Sequence, residues 1–214
     1  SGGAPYVLLP TLKGVTVAWS NDGKQFAWGK DGKVWVQRAA SGATAQLVAA
    51  PDSSLASDTS ASGREALARA RWTVVRWSPT GDALLLSNRE GYWLAPLAGG
   101  SRVRVVATSD SGTTPRYQPV AWSEDGRSLY FSVASRTAWE RGIARYDRQT
   151  GTMQELVKDA RLYSGVRLAK SGDVLAYSSG EGNRPQELYV ADASMRVSAP
   201  PASPAGLRSA APPD

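Results

Sequence analysis

Val120-Ala-Trp-Ser-Glu-Asp-Gly-Arg-Ser-Leu-Tyr-Phe-Ser132 is the stretch that decides the fold. Taken from Tyr117, it reads as a strand, a tight turn and a second strand. The run Val120 to Ser123 is β-branched and aromatic, and Ser128 to Ser132 carries Leu129, Tyr130 and Phe131. Between them Glu124-Asp125-Gly126 supplies turn chemistry, with Gly126 free to take the positive φ that closes a short hairpin. A lone hairpin is marginally stable in water. The weight of this one comes from recurrence.

Val17-Ala-Trp-Ser-Asn-Asp-Gly-Lys24 precedes Phe26-Ala-Trp28, and Val75-Arg-Trp-Ser-Pro-Thr-Gly-Asp82 precedes Leu84-Leu-Leu-Ser87. A fourth copy, Val166-Arg-Leu-Ala-Lys-Ser-Gly-Asp173, precedes Leu175-Ala-Tyr177. The anchors are Trp19, Trp77, Trp122 and Leu168, and the turn glycines are Gly23, Gly81, Gly126 and Gly172. Repetition at about 40–50 residues, with several short strands per repeat, is the sign of a β-propeller. The expected fold is therefore all-β: four-stranded antiparallel blades, four clear repeats with room for a fifth, closed or as an open, incomplete ring. A Trp repeated at one blade position reads as packing between neighbouring blades, so Trp19, Trp77 and Trp122 are expected to be buried at equivalent positions. A ligand-stacking platform is the alternative for these rings.

The modules run near 15–50, 72–108, 117–159 and 163–197, forming one propeller over 15–197. Residues 1–14 hold Tyr6-Val-Leu-Leu9 between two prolines and read as a lead-in strand. The insertion 51–71 reads as a mobile loop with one short helical turn, because Ser62-Gly-Arg-Glu65 has capping-box spacing ahead of Ala66 to Arg71. In the third module, strands are expected near Gln118–Ser123, Ser128–Val133, Gly142–Tyr146 and Met153–Val157. The fourth offers three, at Gly165–Leu168, Val174–Ser178 and Glu187–Ala191. Residues 198–214 are rich in Pro, Ala and Ser and read as a tail or linker.

Composition removes whole classes of chemistry. The 214 residues contain neither Cys nor His. Disulfides, thiolate ligands, a Cys nucleophile and a Ser-His-Asp triad are excluded within this chain, and an ordinary zinc site is disfavoured. No cofactor or metal is expected. Twenty-five basic against 19 acidic residues leave a net charge of +6, but the arginines are scattered along the repeats. Nucleic-acid binding calls for a clustered basic face and is not expected, and no apolar run is long enough for a membrane span. Ser1-Gly-Gly-Ala lacks a signal-peptide pattern, and a processed or cloned start would read the same. Loop residues Trp139, Arg141 and Arg184 are the candidates for binding a partner, through an aromatic or guanidinium anchor. For each, plain surface or blade packing is the competing reading.

The fourth module carries a resemblance. Lys170-Ser-Gly-Asp-Val-Leu-Ala-Tyr-Ser-Ser179, followed by Asn183-Arg-Pro-Gln-Glu-Leu-Tyr-Val-Ala-Asp192, resembles the TolB-like propeller repeat. It is closer still to the blade preceding the hydrolase domain in the prolyl oligopeptidase family of serine peptidases. The Trp-Ser-x-x-Gly hairpins fit the same family. The resemblance implies a propeller that docks on an α/β-hydrolase domain, gates peptide access to it, and is exported or periplasmic. A cytoplasmic location is the alternative. The chain departs from the family in having no Gly-x-Ser-x-Gly elbow and no His, so no catalytic residue carries over and the chain alone is expected not to be an enzyme. Four anchors also fall short of the family's usual seven or eight blades. Two further readings stand beside the peptidase propeller: a stand-alone TolB-like scaffold that binds proteins, and a carbohydrate- or metal-dependent enzyme. A cut or incomplete ring would also be expected to self-associate through its blade edges.

Overall fold

In the computed structural model, which describes residues 15, 17–30, 32–48, 58–108 and 112–195, the chain folds into four successive antiparallel sheets. Blade 1 comprises β1 (Val17–Trp19), β2 (Gln25–Lys30), β3 (Lys33–Arg38) and β4 (Thr44–Val48). Blade 2 comprises β5 (Thr73–Trp77), β6 (Ala83–Asn88), β7 (Gly91–Pro96) and β8 (Val103–Ala107). Blade 3 comprises β9 (Arg116–Trp122), β10 (Ser128–Ala134), β11 (Arg141–Asp147) and β12 (Thr152–Asp159). Blade 4 has β13 (Leu162–Leu168), β14 (Val174–Gly180) and β15 (Glu187–Asp192). Strand order in each sheet follows chain order, as expected for a propeller. The last blade has three strands among the described residues, the three its sequence offered, which leaves β15 as its edge.

The quoted hairpin forms as the sequence implies. β9 and β10 pair with Trp122 opposite Leu129, and a bulge lies between Tyr130 and Phe131. Its turn is a local device. Gly126 N–H donates to Ser123 C=O at 2.8 Å and sits at φ +74°. The Ser123 hydroxyl donates to Asp125 Oδ1 at 2.5 Å and accepts from Ser128 N–H at 2.7 Å. Gly23, Gly81 and Gly172 repeat the backbone bond and the positive φ.

The core lies between blades. Ala27, Val34, Val74, Trp77, Leu84 and Leu86 fill the space between blades 1 and 2. Leu85, Leu94, Trp122, Leu129, Phe131 and Tyr146 fill the next, and Tyr130, Ile143, Val166 and Leu175 the third. Alternate side chains of one strand face opposite neighbours. Leu84 and Leu86 therefore meet blade 1 while Leu85 meets blade 3, and the apolar run Ala83–Leu86 is buried throughout. Among the described residues no core cluster joins blade 4 to blade 1. The blades form an arc.

Two expectations are corrected. Trp77 and Trp122 are buried, but Trp19 is 56% exposed. Each anchor packs on the blade before it, and among the described residues no blade precedes the first. Leu168 is only half-buried, and Val166 is the more enclosed residue of that strand. The insertion holds more than one helical turn: α1 spans Ala61–Ala70, ten residues. Its N-cap is Ser60, whose side chain accepts from Gly63 N–H at 3.0 Å, so the helix starts ahead of the expected Ser62 box. The Tyr6–Leu9 strand and the 198–214 tail lie outside the described residues.

Candidate basic groove

Strand order gives the arc two unlike ends. One end carries the first and third turns of each blade. There the carboxylates are committed to the turns themselves. Asp22 accepts from Ser20 at 2.7 Å and Asp125 from Ser123 at 2.5 Å, and these hydroxyls hold both carboxyls below the usual range. Asp82 goes further, because blade 2 places its carboxylate after the turn glycine. Arg148 of blade 3 reaches it at 2.8 Å, also donates to Gly126 C=O at 3.0 Å, and lies 5.7 Å above the Trp122 ring. Arg148 first, with Ser78 and Thr80, pushes Asp82 far below the ordinary carboxylate range against the opposing effect of burial.

The other end carries the second turn of each blade and the inter-blade connections, and it collects cations that are far apart in sequence. Trp139 and Arg141, both expected to serve a site, lie here together, the Arg141 guanidinium 5.1 Å from the Trp139 ring centre. Trp139 is 62% exposed. Arg184 lies at the same end but one blade on, paired with Glu181 at 3.7 Å beside a separate 280 Å³ recess with Arg161 and Tyr189. The structure therefore unites two of the three candidates and sets the third apart. Trp77 and Trp122 serve packing. The Trp19 ring lies 5.0 Å from Phe26 beside a 400 Å³ hollow shared with Val75 and Trp77.

Sequence reasoning missed Arg116 and Arg136. With Arg141, Ala134, Ser135 and Gly112 they line a cavity of about 460 Å³. A second of similar size adjoins it and shares Arg116, Ala134 and Arg136, with Tyr92, Tyr117, Gln118 and Ser132 on its far wall. The register explains the recess. Arg116 and Arg141 both stand opposite Ala134, from the strands on either side, so a methyl group separates two guanidinium stems on one face. Pairing β9 with β10 and β10 with β11 on paper would have brought the two arginines together. Arg136 opens the polar loop that also carries Trp139, and its charge alone did not set it apart from the other scattered arginines.

Carboxylates near this groove have other partners. Glu140 meets Lys158 at 3.7 Å, and Asp159 accepts from the Tyr163 hydroxyl at 2.9 Å and from Arg161 N–H at 2.8 Å. Burial and then this bond to Asp159 raise the Tyr163 phenol well above its usual value. Among the described residues no group of three His, Cys, Asp or Glu side chains could hold a metal ion, and no helix is long and apolar enough to cross a membrane.

These features describe a β-propeller arc with one end rich in arginine, and solved structures share its architecture. Dipeptidyl peptidase 4 from Porphyromonas gingivalis superposes with a TM-score of 0.62 at 12% identity, over 92% of this chain and 33% of that one. An oligogalacturonate lyase solved in complex with manganese gives 0.61 at 11% identity, over 88% and 54%. TolB from Acinetobacter baumannii gives 0.51 at 17% identity, over 86% and 41%. At such identities the likeness establishes the fold: a β-propeller of the kind found in TolB and in peptidase propeller domains. The chain spans between a third and about half of the length of these proteins. No family model and no curated protein matches it.

Proposed function

We propose that this chain is a non-catalytic propeller segment of an exported prolyl oligopeptidase-like serine peptidase, docking on a hydrolase domain and gating peptide access to it. One observation carries the reading. The first-blade anchor, Trp19, has the sequence context of an inter-blade packing residue yet stands exposed, with Val17 beside it at 41% exposure. On the last blade Leu188 and Val190 are likewise exposed on the edge strand. Such faces fit further blades of a larger ring. The superposition on dipeptidyl peptidase 4, covering most of this chain and a third of that protein, supports a peptidase setting. Size selection at a ring mouth needs no nucleophile, which suits a chain without His or Cys.

The test is hydrolysis of an aminoacyl nitroanilide by this chain and by the protein encoded by its uninterrupted reading frame. Turnover by the longer protein alone is expected, with a Gly-x-Ser-x-Gly elbow and a His in its sequence. Turnover by the repurified chain that disappears on a point substitution within it would overturn the non-catalytic assignment. A reading frame without the elbow would favour the second reading, a TolB-like protein-binding scaffold, for which the exposed Trp139 ring is the supporting observation. In isolation the chain is expected to self-associate through its bare faces and the β15 edge, measured by light scattering.

A further inference from the structure

We propose that Arg116, Arg136 and Arg141, with the Trp139 ring, form a binding groove for an acidic peptide segment. Several cations elsewhere on the molecule are paired: Arg127 meets Asp147 at 2.9 Å, Arg148 meets Asp82 at 2.8 Å, and Arg69 meets Glu65 at 2.6 Å. Among the described residues, none of the three groove arginines meets a carboxylate within ion-pair distance, although Glu140 and Asp159 are close by and bonded to others. Three like charges converging on one recess repel one another unless an anion joins them. A guanidinium fork suits a carboxylate because both oxygens can be held at once.

The spacing favours an extended ligand. Arg116 and Arg141 are two strand positions apart across Ala134, about 10 Å, which three residues of extended chain span. The adjoining cavity continues the groove along Gln118 and Ser132, whose amide and hydroxyl can bond a peptide backbone. Trp139, its ring centre 5.1 Å from the Arg141 guanidinium, adds a flat, exposed apolar surface. The choice of a peptide over another polycarboxylate rests on the peptidase-domain reading above.

The experiment is fluorescence anisotropy of labelled hexaglutamate with the full chain, at low and near-physiological salt. Binding is expected that weakens as salt rises, with no binding of hexaglutamine. Replacing all three residues (Arg116→Gln, Arg136→Gln, Arg141→Gln) should weaken it by about tenfold or more. Lys24→Gln with Lys170→Gln, at the opposite end, should change it by less than about twofold. If the triple variant melts early, the double Arg116→Gln, Arg136→Gln, both on exposed side chains, takes its place. Absence of binding at low salt, equal loss in both sets of variants, or tighter binding of hexagalacturonate or inorganic phosphate would each overturn the proposal. Failure here is distinguishable from failure of the peptidase reading, which is scored on catalysis by the longer protein.

Discussion

Val17-Ala-Trp-Ser-Asn-Asp-Gly23 and Val120-Ala-Trp-Ser-Glu-Asp-Gly126 differ at a single position, yet their tryptophans have opposite fates. Trp122 is 8% exposed and Trp19 56%. The turns below them match: each Ser hydroxyl donates to the following Asp, and each Gly N–H closes on the Ser carbonyl. What differs lies outside the hairpin. Trp122 is enclosed by Leu85, Leu94 and Phe131 and covered by Arg148. No preceding blade among the described residues offers Trp19 such a surface. The lesson is that an anchor is buried by its neighbour, while its turn is built by itself.

The sharpest way to break this comparison is to remove both rings. Trp122→Ala should cost about 3–5 kcal/mol, as for a fully packed aromatic. Trp19→Ala should cost under about 1 kcal/mol, as for an exposed residue. Urea unfolding of both variants would show it, and equal losses would mean that the two environments are alike.

A smaller effect is expected at Trp77. Its indole N–H donates to Ala18 C=O on blade 1 at 2.7 Å, whereas the Trp122 indole N–H stays within its own hairpin, on Gly126 C=O at 3.0 Å. Trp77→Phe removes a bond between blades and should cost about 1–3 kcal/mol. Hydrogen exchange at β1 should rise with it. Unchanged protection there would mean that the bond does not hold the first blade.

The turns supply the control. Ser20→Ala and Ser123→Ala should each cost about 1 kcal/mol, and by similar amounts, because the bonds they remove are local. A large difference in unfolding midpoint between the two would show that the turns also answer to their neighbours.

The smallest effect is tied to pH. Asp82 has its folded pKa depressed by Arg148, so its contribution is present above its unfolded value and is lost as pH falls through the folded one. The Asp82→Asn variant should therefore lose stability less steeply than the parent between about pH 5 and pH 2. Because the Asp82 side chain is half-exposed, the difference at neutral pH should stay below about 1 kcal/mol. Parallel profiles would mean that the bridge contributes nothing to blade contact.

Much of the architecture was legible because it rests on short-range signals. Apolar runs such as Leu84–Leu86 and Leu129–Phe131, each preceded by turn chemistry at a fixed offset, mark strands wherever they occur. The helix was legible in kind but not in extent. Ser62 had the capping box, yet Ser60, an N-cap residue without one, caps α1. Of the groove, Trp139 and Arg141 stood out as unusual loop residues. Arg116 did not, because its meaning depends on strands that lie side by side only after pairing.

The sequence by itself determined the hairpins, their turns and their repetition, because a Ser-Asp-Gly turn and a two-residue alternation are complete within a dozen positions. The tertiary structure alone decided which anchors are buried and where Asp82 finds Arg148. Those outcomes depend on surfaces contributed by other blades. Nearly identical local sequences carry no record of which neighbour they will meet.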